Sequence, residues 1–151
     1  MKIALACHHG AFALKEAVRA HLEERGIPYE DLGTHTPEER MDYPKAALAG
    51  GNAVKDGRCD LAILFCGTGI GVLSAACKMK GIHPAACSDT RTARLARQVS
   101  NCNALCLGWE IVGPGLANDI VDAFVDASFE GGRHLRYLEM IDAIEDGTLT
   151  E

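Results

Sequence analysis

The stretch Leu61-Ala62-Ile63-Leu64-Phe65-Cys66-Gly67-Thr68-Gly69-Ile70-Gly71 does most to limit what this chain can fold into. Five apolar residues run into a cysteine, three glycines then alternate with Thr68 and Ile70, and a helical pattern follows from Val72 to Met79. A short apolar run without polar alternation reads as a strand buried on both faces. The glycines make a tight turn with a helix start behind it. In open α/β sheets the end of such a strand is where ligands bind. The N–H groups of the turn and the helix N-terminus favour a negatively charged guest.

The rest of the chain alternates strand and helix around this unit. Residues 2–7 read as a strand, and 12–25 as a helix with Leu14, Val18 and Leu22 spaced by four and stopped by Gly26. Residues 29–32 form a short strand. Residues 33–43 are polar and loop-like; Pro44 suits a first helical turn, and that helix runs to about Lys55. Residues 82–87 are a strand in which Pro84 marks an edge or an irregular stretch. Ser88-Asp89 offers an N-cap to a helix over 90–98. A strand over 104–107, a helix over 113–127, a break at Gly131-Gly132 and a last helix over 134–145 complete the order. Repeated βα units predict an α/β fold with a parallel, doubly wound sheet and helices on both faces, in one domain over 1–151.

A chain of 151 residues is long enough for a real core. Its net charge of −6 leaves no electrostatic footprint for nucleic acid. The longest apolar runs are strand-sized, too short for a membrane span. The first strand begins at once, with no signal-peptide pattern ahead of it. The cysteines number seven, with no C-x-x-C pair and no small loop-rich scaffold to staple, which argues for reduced thiols and a cytoplasmic location.

A nucleotide reading of the glycine turn fails. Gly67, Gly69 and Val72 occupy the three places of a dinucleotide fingerprint, and no P-loop lysine with serine or threonine follows. A turn that receives a small anion or an oxyanion fits better. By residue type alone Cys66 is a buried, inert thiol. Its position argues otherwise, because a helix N-terminus stabilises a thiolate, which removes a proton from carbon as readily as it attacks a carbonyl. Thr68 supplies a hydroxyl two residues on, or simply caps the helix. His8 and His9 follow the first strand, before Gly10 and at the same sheet edge, where a pair of histidines is placed to touch a ligand. Metal chelation by Cys7-His8-His9 is disfavoured, since adjacent residues rarely hold one ion well. Arg133, His134 and Arg136 crowd a helix start, where positive charge opposes the dipole and suggests an anionic partner such as phosphate.

In combination, Cys7-His8-His9-Gly10, Asp42-Tyr43-Pro44, the Cys66–Gly71 run, Lys78-Met79-Lys80-Gly81-Ile82, Arg97-Gln98 and Glu130-Gly131-Gly132-Arg133-His134 resemble the type B ribose-5-phosphate isomerases and the related galactose-6-phosphate isomerase subunits, over nearly the whole chain. The resemblance implies a Rossmann-like three-layer α/β sandwich with a five-stranded, mostly parallel sheet. It implies a homodimer or homotetramer with sites shared between subunits, and no cofactor. The activity implied is aldose–ketose isomerisation of a sugar phosphate without a metal. Cys66 would be the base that moves a proton between the carbons flanking the carbonyl, through a cis-enediolate. Thr68 would assist proton movement at the oxygens, and the amides of Gly67, Gly69, Ile70 and Gly71 would hold them. His9 and Arg133 would handle the substrate's far end, phosphate included. His8, Tyr43 and Arg136 join the binding set, while Ser100 and Asn101, in the segment 99–103, would reach a neighbouring subunit's site.

The chain also departs from that pattern. His8 stands where the family has an aspartate, and Val99-Ser100-Asn101 follows Arg97-Gln98 where a pentose isomerase carries His-Asn. Glu110 follows Trp109 where an arginine usually follows Gly-Ser, and Tyr137 takes the place of a second phosphate arginine, with Arg136 beside it. Val99 cannot exchange a proton, so the group held to open a furanose ring is missing. This points to a short open-chain substrate such as erythrulose 4-phosphate, whose tetrose partner cannot close a furanose because its O4 is esterified. The alternatives are a ribose-5-phosphate isomerase proper, an isomerase of free sugars, and a partner-dependent or non-catalytic sugar-binding subunit.

Overall fold

The computed structural model describes residues 1–151. In chain order the elements are β1 (Ile3–Cys7), α1 (Phe12–Glu24), β2 (Tyr29–Asp31), α2 (Tyr43–Lys55), β3 (Leu61–Cys66), α3 (Ile70–Ala76), β4 (Pro84–Ala86), α4 (Thr90–Gln98), β5 (Ala104–Gly108), α5 (Pro114–Val125) and α6 (Arg133–Glu145). The strands lie in the order β2-β1-β3-β5-β4, and every neighbouring pair is parallel. The expectation of a mostly parallel sheet therefore resolves to a fully parallel one. From β1 the chain turns one way to β2 and then crosses to the other side for β3. The sheet's switch point thus lies between β1 and β3, and ligands of such sheets bind beyond the strand ends there.

β1, β3 and β5 are buried at every position, as central strands covered on both faces must be. Alternation along them sorts the core into two faces. Ile3, Leu5, Ile63, Phe65, Leu105 and Leu107 point to α1, α4 and α5 and pack with Leu14, Val18, Leu22, Ile120 and Phe124. Ala4, Ala6, Ala62, Leu64, Cys66 and Cys106 point to the other side, against Ala46, Ala47 and Ala53 of α2 and Val72 and Ala76 of α3. The small side chains let α2 sit close, and Cys66 belongs to this closely packed face.

Several local bounds change: the strand expected over 82–87 covers only Pro84–Ala86, and the helix expected over 113–127 covers Pro114–Val125. α3 starts at Ile70 rather than Val72 and stops at Ala76 rather than Met79. Gly69 takes a positive φ of 80° and turns the chain straight into the helix. The expected loop after β1 holds a short 3-10 turn, His9–Ala11, capped by His8. Pro84 opens β4 on the sheet edge, where its missing N–H costs no ladder bond. Asp89 caps α4 as expected, its Oδ1 accepting from Thr92 N at 2.7 Å.

Lys15 of α1 has no exposed surface, and its ammonium pairs with Asp31 at the end of β2 and with Glu16 at 3.1 Å. A buried charge is tolerable only while it is paired. Asp31→Ala is expected to lower unfolding stability by about 3 kcal/mol in a denaturant titration, because it strands a buried ammonium. A change below about 0.5 kcal/mol, the size of an ordinary surface substitution, would show that Glu16 alone satisfies Lys15.

Candidate functional site

The parallel register brings the ends of three central strands side by side. Cys7 is level with Phe65, Phe65 with Leu107, and Cys66 with Gly108. The residues just beyond these ends, His8, the Cys66–Gly71 turn and Trp109-Glu110, therefore share one edge at the switch point. His8 N donates to Phe65 O at 2.8 Å, Trp109 N to Cys66 O at 3.1 Å, and Glu110 N to Gly67 O at 2.9 Å. These main-chain bonds tie the two flanking loops to the turn.

Within the turn, Gly69 N donates to Cys66 Sγ at 3.2 Å and Ile70 N to Thr68 Oγ1 at 3.2 Å. The Thr68 hydroxyl accepts from the helix start and keeps its own proton for another partner. Gly69 combines its positive φ with a close approach to β5, where a Cβ would stand 3.2 Å from Cys106 O. Gly108 is tighter still, since a Cβ there would lie 2.4 Å from the Thr68 carbonyl carbon. Cys66 is 4% exposed, whereas Thr68 and Ile70 are exposed at the mouth of the turn. The Tyr43 ring, at the start of α2, packs over Gly71 with ring carbons 3.2 Å from the place of a Cβ.

The two histidines are held in complementary states. His9 Nδ1 faces Met41 O at 3.0 Å, and a carbonyl only accepts, so Nδ1 carries the proton and Nε2 of the neutral ring is an acceptor. His8 Nδ1 accepts from Gly10 N at 3.0 Å, which leaves Nε2–H as a donor. The rings lie 3.8 Å apart between centroids. Burial, and then the neighbouring His9, hold the His8 pKa below the ordinary imidazole value. Cys7 does not join them. Its sulfur lies 3.4 Å from Thr34 Oγ1 and accepts from Thr34 N at 3.3 Å, and no group of three His, Cys, Asp or Glu side chains is placed to hold a metal.

Five of the other six thiols are buried, as Cys66 is, but none of them accepts from an N–H of the turn. Burial pushes Cys87 and Cys102 each up to about 11, and Cys106 well above its ordinary value. Burial likewise raises Cys7 and Cys59. These groups stay protonated and act as small apolar residues.

The remaining expected residues lie elsewhere. Ser100 and Asn101 precede β5, at the amino edge of the sheet. Asn101 has a positive φ of 45°, and its Oδ1 accepts from Arg97 at 2.9 Å, which leaves its amide N–H groups free. α6, which carries Arg133 and Arg136, begins where Glu130 N donates to Gln98 O at 2.9 Å. Its far half is tied to the same amino edge by Lys80–Asp146 at 2.5 Å and His83–Asp142 at 3.4 Å. Ser100 lines a cleft of about 430 Å³ there with Cys102, Ile141 and Ile144, and neither this cleft nor a second of about 350 Å³ between α4 and α5 includes the Cys66–Gly71 turn. One chain therefore brings together His8, His9, Tyr43, Cys66, Gly67, Thr68, Gly69, Ile70 and Gly71, and leaves Ser100, Asn101, Arg133 and Arg136 apart from them. Sequence reasoning noted Glu110 only as a lost arginine and missed the Trp109-Glu110 latch; the strand ending at Gly108 was the available signal.

Comparison with known proteins agrees with this arrangement. The family model described as Ribose/Galactose Isomerase matches residues 3–141. The chain is 46% identical to ribose-5-phosphate isomerase B of Escherichia coli, with 95% of this chain and 96% of that protein covered. It is 37% identical to D-erythrulose-4-phosphate isomerase of Pectobacterium atrosepticum, over 96% of this chain and 95% of that one. The solved structure of ribose-5-phosphate isomerase B from Clostridium thermocellum superposes with a TM-score of 0.94 at 42% identity, covering 99% of this chain and 100% of that one. A doubly wound α/β chain with these likenesses is an aldose–ketose isomerase. It belongs to the ribose/galactose isomerase family.

Two outcomes follow from the geometry. Gly108→Ala is expected to push Thr68 out of place and lower kcat/KM on sugar phosphates by about 100-fold with the far-UV circular dichroism unchanged, since a misplacement near 1 Å costs on that order. Unchanged activity would show that the turn tolerates the shift. The His8 ring should titrate with a midpoint below 6.5, being neutral through the physiological range; an NMR midpoint above that value would contradict its burial.

Proposed function

We propose that the chain interconverts a short open-chain ketose phosphate and its aldose, such as erythrulose 4-phosphate and erythrose 4-phosphate, with Cys66 as the base. The observation that carries the base assignment is the placing of Cys66 at the switch-point edge, with the Gly69 N–H aimed at its sulfur at 3.2 Å. The thiolate takes the proton from the carbon beside the carbonyl, and the electron pair moves into a cis-enediolate. Delivery of a proton from the Cys66 thiol, which exchanges with solvent while the enediolate stands, to the adjacent carbon completes the isomerisation. Thr68, with its hydroxyl proton uncommitted, moves the proton between the two oxygens. N–H donors of the Gly67–Gly71 turn other than those of Gly69 and Ile70, which serve Cys66 Sγ and Thr68 Oγ1, meet the charge that develops on the enediolate, and such donors lower the barrier by about 3–4 kcal/mol each. The His8 donor and the His9 acceptor orient the substrate.

Support for a four-carbon substrate comes from Val99, which has no group to open a ring, and from the likeness to a protein named as an erythrulose-4-phosphate isomerase. The division of the expected residues between two sheet edges supports a site shared between two copies. In that arrangement the carboxyl edge of one copy meets Ser100, Asn101 and Arg133 of the other. α6 has no buried residue of its own and exposes Leu135, Tyr137 and Ile144, a surface suited to a second copy of the chain.

Steady-state kinetics on tetrose, pentose and hexose phosphates, and on the free sugars, test the substrate. The tetrose phosphate should have the highest kcat/KM, and equal turnover of ribose 5-phosphate would defeat that reading. Cys66→Ala should lose exchange of the substrate's α-hydrogen with solvent deuterium while still binding the sugar; exchange that persists would remove Cys66 as the base. For the shared site, Cys66→Ala and Arg133→Ala are each expected to be inactive alone and to regain partial activity when refolded together. No recovery on mixing would place the whole site in one chain, and a purified wild type inactive on every sugar would mark a partner-dependent subunit.

A further inference from the structure

Glu110 sets an acidic side chain against Gly67. Two main-chain bonds fix its backbone: Trp109 N to Cys66 O at 3.1 Å and Glu110 N to Gly67 O at 2.9 Å. Its Oε1 lies 2.8 Å from where a Cβ on Gly67 would stand, so the carboxylate rests on the bare backbone of that glycine. None of the chain's ion pairs uses it. Trp109 extends the same wall to Gly10, where its Nε1 and His8 Nδ1 lie 3.4 Å and 3.2 Å from the place of a Cβ. An exposed carboxylate outside every ion pair, carried on a main chain bonded to the turn, thus borders the turn on the β5 side.

Such a group has two consequences for a ligand in the turn. It offers about four acceptor sites to hydroxyl hydrogens. It also opposes a second anion, because like charges brought together at an interface are costly. We propose that Glu110 is a specificity-determining residue. Its carboxylate accepts hydrogen bonds from sugar hydroxyls on the β5 wall and keeps a phosphate from entering there. The phosphate of a substrate is thereby directed away from β5, and the wall itself recognises the uncharged, hydroxylated part of the sugar. This inference rests on the Cys66 turn being the reacting centre.

Glu110→Gln and Glu110→Arg separate hydrogen bonding from charge, and an exposed position lets both variants fold. Inorganic phosphate serves as the probe, its affinity read from shifts of the Gly67–Gly71 amide resonances, which needs no turnover. Phosphate affinity should rise in the order wild type, Gln, Arg, by about tenfold at Arg. The ratio of kcat/KM for a phosphorylated sugar over its free counterpart should rise in the same order. Any other order of phosphate affinity overturns the proposal. Cys66→Ala run beside them tells the two readings apart: exchange persisting there removes the base assignment, while the phosphate series still reports on Glu110.

Discussion

The candidate site depends on how closely β5 passes beneath the turn after β3. Gly108, level with Cys66, leaves no room for a side chain against the Thr68 backbone, and the two residues that follow it bond to Cys66 O and Gly67 O. A turn rich in glycine has many conformations available and would lose much entropy on ordering. Here the ordering is imposed by a neighbouring strand that is itself buried on both faces. The N–H groups are then fixed in advance of any substrate, which is the condition under which donors stabilise developing charge.

The two faces of the sheet and the ends of its strands set Cys66 apart from the other thiols by position. Alternation sends Cys66 and Cys106 to the same alanine-rich face, yet only Cys66 ends its strand at the switch point. Cys106, two residues inside its strand, is 1% exposed, and burial holds it protonated. What distinguishes Cys66 is where its strand stops more than its residue type.

The edges of the sheet divide the expected site. The carboxyl side carries His8, His9 and the Cys66–Gly71 turn, whereas the amino side carries Asn101, fixed by Arg97, and the basic start of α6. A helix with no buried residue contributes little to its own fold through burial. Its apolar side chains and its arginines fit a role in assembly, where the same surface would bury α6 and deliver charge to a second copy's turn.

Much of this was legible in the chain itself. The apolar runs, the glycine stops and the Asp89 cap located nearly every strand and helix, because burial and capping are written at fixed local spacings. The place of Cys66 at the end of β3 and of the histidines after β1 was legible for the same reason. Other features were decided only by tertiary structure. They include the adjacency of β1, β3 and β5, the passage of Gly108 under Thr68, the proton states of His8 and His9, the Glu110 carboxylate over Gly67, and the separation of Arg133 and Asn101 from Cys66. Each depends on contacts between residues far apart in sequence. Local propensity and periodicity carry no information about which strand lies beside which, or about what a loop meets once the sheet has formed.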